Sequence, residues 1–138
     1  MSEDLTNRLV VAVIEQHETK IWPTNAVKGT KPEVIHPLSS SHHVSEAQHH
    51  TGHESEQANK TYFEEISKSL ESAGEILLVG HGHGKSNAVL KFIQHLERYH
   101  ANVAQKVVGS LDINLPALTD GELLAAARAW FDEPIHQR

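Results

Sequence analysis

ILLVGHGHGKSNAVLKFIQHLERY, residues 76–99, passes from an apolar run through a glycine-rich turn into residues at helical spacing. Glu75 to Val79 reads as a buried strand and Gly80 to Lys85 as the turn leaving it. From about Ser86, the residues Val89, Phe92, Ile93, Leu96 and Tyr99 fall on one helix face. A strand, a tight turn and a helix make half of a βαβ unit.

The flanking sequence extends this pattern in both directions. Leu9 to Ile14 (LVVAVI) is a second continuous β-branched apolar run, short enough to be a strand buried on both faces. Thr19 to Trp22 is expected to pair back on it as a hairpin, with that hairpin forming a sheet edge. Glu33 to His36, between Pro32 and Pro37, adds a third strand. Tyr62, Phe63, Ile66, Leu70 and Ala73 share a helical face that Gly74 closes. Val107 and Val108 begin a short strand ending near Leu111. Thr119 and Glu122 have the T-x-x-E spacing of a capping box, and Leu123, Leu124, Ala127, Trp130 and Phe131 line the face of a last helix. Strands alternating with helices predict parallel strands joined by right-handed crossovers. The expected fold is a single α/β domain over residues 1–138, a three-layer α/β/α sandwich around a mixed, mostly parallel sheet.

Composition narrows the chemistry. The 138 residues contain no cysteine, so disulfides and thiolate metal sites are excluded. The first residues are polar and acidic, and no apolar run reaches bilayer length, so a cytoplasmic protein without membrane contact is expected. The formal charge of −6 disfavours a free-standing grip on a phosphate backbone, because that affinity comes from cations neutralising phosphates. Twelve histidines are an excess for this length. His42, His43, His49, His50 and His53 crowd a segment of Ser, His, Glu and Gln that holds almost no large apolar residue. Such a segment cannot bury enough surface to offset its ordering entropy, so an exposed His-rich loop is expected at about 38–57.

Three constellations bear on function. The turn Gly80, His81, Gly82, His83, Gly84, Lys85 and Ser86 can offer backbone N–H groups and a helix N-terminus to a phosphate, which makes nucleotide or phosphate binding one reading. It is not a P-loop, which needs four residues between its glycines where this turn has three. Counting GxGxxG from Gly80 puts Lys85 where the third glycine belongs. A tight βα turn that uses glycine for positive φ and close packing explains the same residues. The five loop histidines form the second constellation. Three or four imidazoles among them could surround Zn²⁺ or Ni²⁺, although no HExxH or other spaced signature is present and any His-rich tract binds metal weakly. A surface that gains charge below about pH 6.5 is a further reading of the cluster. The third constellation, His81 or His83 with Ser86 or Asp112, lacks the G-x-S-x-G elbow of a hydrolase. No enzyme is expected. His95 and His100 read as solvent-facing, and Trp130 with Phe131 as core.

Ile76 to Asn87, then Val107-Val-Gly-Ser-Leu-Asp112, then Leu118-Thr-Asp-Gly-Glu-Leu-Leu124 resembles the third, C-terminal domain of archaeo-eukaryotic peptide release factors and Pelota. The resemblance is closer to their bacterial single-domain relatives, among them proteins labelled host-attachment proteins. It covers the C-terminal half, and the N-terminal strands with His36-Pro37 only loosely. It implies a release-factor-like α/β/α domain that docks on the ribosome or a ribosome-bound translation factor, with contact to ribosomal RNA or protein. In that setting Gly80, His81, Gly82, His83, Gly84, Lys85 and Ser86 form a surface loop at the C-terminal edge of the sheet, where α/β proteins commonly bind. The family's peptidyl-tRNA hydrolysis needs a Gly-Gly-Gln motif in another domain. That motif is absent from this chain, so release activity is not implied.

Overall fold

Two apolar runs form the centre of the sheet in the computed structural model, which describes residues 8–25, 31–37, 52–81 and 88–133. In chain order the elements are β1 (Leu9–Ile14), β2 (Thr19–Pro23), β3 (Glu33–Ile35), α1 (Gly52–Leu70), β4 (Glu75–Gly80), α2 (Ala88–Tyr99), the single turn α3 (Ala101–Ala104), β5 (Val107–Asp112), a 3-10 turn (Leu115–Ala117) and α4 (Asp120–Asp132). The sheet order is β3-β2-β1-β4-β5. β1 pairs in parallel with β4, and β4 with β5, while β2 runs antiparallel to both β1 and β3. The sheet is therefore mixed: β2 alone opposes the common strand direction, yet the pairings divide evenly between parallel and antiparallel.

The alternation of side chains along β1 and β4 explains why residues 10–14 and 76–79 include no polar side chain. Val10, Ala12 and Ile14 of β1 and Ile76 and Leu78 of β4 enter one core, while Val11, Val13, Leu77 and Val79 enter the other. The parallel register sets Val10 beside Ile76 and Val13 beside Val79, so like-facing residues stay aligned across the pair. Both connections, β1 to β4 and β4 to β5, step the same way across the sheet, and right-handed crossovers must then lay both of their helices on one face. Accordingly Tyr62, Phe63, Ile66 and Leu70 of α1 pack with Val89, Phe92 and Leu96 of α2 on the first face. Leu123, Leu124, Ala127 and Phe131 of α4 cover the second, together with Trp22.

Several local details differ from the sequence expectation. α1 begins at Gly52, so residues 52–57, expected in the loop, form the first turns of the helix. The rest of the expected loop, residues 38–51, lies outside the described residues. The hairpin strand β2 is not an edge, because β3 pairs along its outer side, from Thr19 opposite Ile35 to Ile21 opposite Glu33. α3 had no periodic signal, being one turn long. In β5 the register shifts between the partners of Ile76 and Leu77, and Gly109 lands opposite Leu77. A Cβ on Gly109 would meet the indole of Trp130, with Cη2 at 2.9 Å, so glycine here permits α4 to sit close on the strand.

The capping box of α4 is complete. Thr119 Oγ1 accepts from the Glu122 backbone N–H at 3.2 Å, and the Thr119 backbone N–H donates to Glu122 Oε1 at 2.8 Å. Thr119→Ala removes the first of these and should lower stability by about 0.5–2 kcal/mol, read as a lower urea midpoint at unchanged slope. An unchanged midpoint would mean that the helix start is held by packing alone.

Candidate functional site

The parallel strands β1, β4 and β5 all end on one edge of the sheet. There Gly80 pairs with Asp112, and the Ile113 N–H donates to Gly80 O at 2.9 Å. His81 is exposed, and its Nδ1 lies 3.0 Å from Ile113 O. A carbonyl only accepts, so this bond places a proton on Nδ1. Gly80 and His81 thus stand at the strand edge, as expected; Gly82, His83, Gly84, Lys85 and Ser86 lie outside the described residues.

Beside them, at the end of β1, is a crevice of about 300 Å³ lined in part by Glu15, Glu18, Lys20, Leu115, Leu118 and Asp120. Lys20 Nζ donates to Asp120 Oδ1 at 2.9 Å and sits 3.6 Å from Glu18 Oε2. The hydrogen bond from its ammonium to Asp120, ahead of the attraction of both carboxylates, holds Lys20 above the ordinary lysine pKa. Lys20 is already engaged by two acids, and Glu15 and Asp112 add further negative charge to this edge. The described rim therefore suits a basic surface better than a phosphate.

The loop histidines are not assembled by the described residues. His42, His43, His49 and His50 fall outside them, and His53 lies in the first turn of α1. A different set of ligating side chains converges instead. His95 Nε2 is 2.9 Å and His100 Nε2 is 2.8 Å from the same oxygen, Oε2 of Glu64. Among the described residues these three form a group close enough to hold a metal ion.

This corrects the reading of both histidines as solvent-facing. His95 is 8% exposed, its ring lying 5.6 Å from Phe63 and 4.9 Å from Tyr99 between centroids. His100 is half-buried and is fixed by its backbone, since it accepts from Val103 and Ala104 at the start of α3 while donating to Leu96 O. Burial holds His95 below the ordinary imidazole pKa, against the opposing pull of Glu64. The His100 hydrogen bond holds the Glu64 carboxyl below its ordinary range, with His95 contributing in the same direction. At neutral pH the group is thus an ionised carboxylate facing a neutral His95. A signal was available in the sequence: His95 follows Phe92 by three residues and Ala88 by seven, which sets it on the buried face of α2.

No protein-family model and no curated protein matches this chain. What the two regions can do chemically is read from their own groups. The strand edge offers peptide groups, one imidazole and a surplus of carboxylates, a surface for recognition. The Glu64, His95 and His100 group offers two imidazole nitrogens and one carboxylate oxygen, a donor set for borderline divalent metals. The side-chain hydroxyls near α1 are occupied: Ser67 Oγ donates to Phe63 O at 2.7 Å and Ser69 Oγ to Glu33 Oε2 at 2.9 Å. Among the described residues, no helix is long and apolar enough to cross a membrane.

Proposed function

We propose that this chain is a non-enzymatic binding domain of the translation apparatus, docking on the ribosome or a ribosome-bound factor through the C-terminal edge of β1, β4 and β5. The observation that carries the reading is the placement of Gly80 and His81 at that edge, beside Asp112 and Ile113. Gly80, His81 and Asp112 belong to the first two of the three segments, residues 76–87, 107–112 and 118–124, whose order resembles the third domain of release factors and Pelota, and helices on both faces of a mixed sheet are compatible with such a domain. The acid-rich rim of Glu15, Glu18, Asp112 and Asp120 favours a basic protein segment of the partner. Contact with RNA phosphate falls to His81 and to Lys85, which follows it closely in sequence.

Sedimentation of the untagged protein with purified ribosomes, across a salt series, tests this. The protein should co-sediment at low salt, dissociate as salt rises, and bind several-fold more weakly as His81→Ala or Lys85→Ala, with chelator making no difference. No co-sedimentation at any salt concentration would rule the reading out. Binding that ignored both substitutions would move the contact off this edge.

A further inference from the structure

We infer that Glu64, His95 and His100 form a zinc-class divalent metal site, two imidazoles and one carboxylate with a fourth position open to water, distinct from the His-rich tract. Three independent features converge here. The donors come from separate places, Glu64 from α1, His95 from inside α2 and His100 from the junction of α2 and α3. Their ligand atoms nevertheless lie within 4.8 Å of one another. His95 is held by packing against Phe63 and Tyr99, and His100 by the backbone bonds that begin α3, so two of the three donors are positioned before any ion arrives. Finally, an open cleft of about 310 Å³ leads to the group past Thr61, Glu65, Lys68 and Glu71, giving an ion access from solvent.

Bonds of about 2.0–2.1 Å to a tetrahedral zinc set neighbouring donor atoms roughly 3.3 Å apart. The nitrogens stand 2.9 and 2.8 Å from Glu64 Oε2, so these two separations open by about half an ångström while the nitrogens, within 4.8 Å of one another, draw together around the ion. On binding, each ring gives up the Nε2–H that it donates to Glu64; that proton leaves to solvent and a neutral ring takes one up on Nδ1, so two N–H···O bonds give way to two N–metal bonds and one O–metal bond. The local charges oppose one another: Lys60, whose Nζ lies 4.7 Å from the Tyr99 ring centroid, and Lys68 repel a cation, while Glu64, Glu65 and Glu71 attract it. The group lies on the first face, toward the end of α2 remote from the Gly80 and His81 edge. It is therefore independent of the docking surface.

Co²⁺ titration of the untagged full chain, followed by its visible d–d bands and by Zn²⁺ displacement, tests the site in four proteins. These are the wild type, a variant with His42, His43, His49, His50 and His53 all replaced by Asn, Glu64→Gln, and His100→Asn. The five-histidine variant should still bind one equivalent of Co²⁺ with four-coordinate bands that Zn²⁺ abolishes. Glu64→Gln and His100→Asn should each bind about 100-fold more weakly or worse, while keeping wild-type circular dichroism in chelator. Glu64 is half-exposed and His100 lies at a helix junction, so a folding failure in one leaves the other as the readout. Loss of the bands in the five-histidine variant would overturn the inference, as would wild-type affinity in the two ligand variants.

Discussion

Replacing Phe92 with alanine should destabilise the domain by about 3–5 kcal/mol, a large share of the roughly 5–15 kcal/mol that separates folded from unfolded domains. Phe92 is fully buried and meets Phe63 edge-on at a centroid distance of 5.5 Å, so it joins α2 to α1 as well as to the sheet. Truncation removes the apolar area and leaves a cavity bordered by two helices and the central strands, which cannot all close on it. Leu90, two residues earlier on the same helix, is 44% exposed, and Leu90→Ala should change stability by no more than about 0.5 kcal/mol. Urea titration of both variants gives a comparison in which helix propensity nearly cancels. A loss below about 1 kcal/mol for Phe92→Ala would mean that α1 and α2 are held to the sheet mainly by other contacts.

Much of this core was legible because its residues recur at the periods that secondary structure imposes. The runs LVVAVI and EILLV, the α1 face and the α4 face all lie where their spacing places them. The capping box did as well, since Thr119 and Glu122 act within one turn. What could not be read was the outcome of tertiary pairing. The start of α1 at Gly52 is one example, because residues 52–57 are polar and offer no apolar stripe to signal a helix. The position of β2 inside the sheet depends on a third strand of three residues, Glu33–Ile35, and the evenly divided pairing depends on the same strand.

The candidate sites divide along similar lines. Gly80 and His81 occupy the strand edge that a βα turn dictates from sequence. The His-rich tract drew attention by number, yet the group the fold assembles uses one histidine from a helix of ordinary composition, one from the junction that follows it, and a glutamate 31 residues from His95. No local pattern joins Glu64 to His95 and His100; only the packing of α1 against α2 does. The helical wheel of α2 nevertheless set His95 beside Phe92 and Leu96, and a titratable residue on a buried face must find a partner or stay neutral. His95 does both.

The same requirement for a buried polar group governs Tyr62, where the second large effect is expected. Its ring is 1% exposed, and its hydroxyl donates to Glu15 O at 2.8 Å while Thr19 Oγ1, itself fully buried, donates to it at 2.7 Å. Tyr62→Phe leaves the Thr19 hydroxyl and the Glu15 carbonyl without this partner, and should cost about 1–3 kcal/mol near neutral pH. The difference should also depend on pH. Burial pushes the Tyr62 phenol up to about 12, from an ordinary value of 10.0. Between these values the unfolded chain has released the proton that the folded one keeps, so stability falls as pH rises through the window. A two-unit displacement amounts to about 2–3 kcal/mol in full, of which roughly 1 kcal/mol is lost by about pH 11. The phenylalanine variant has no phenol at this position, so the gap between the two proteins should narrow by that amount. Denaturation of both at about pH 8 and about pH 11, in chelator so that no ion at Glu64 contributes, measures the change. A gap that stayed constant would mean that the phenol ionises equally easily in the folded and unfolded chains, and its hydrogen bonds to Thr19 and Glu15 would then have to be open to water.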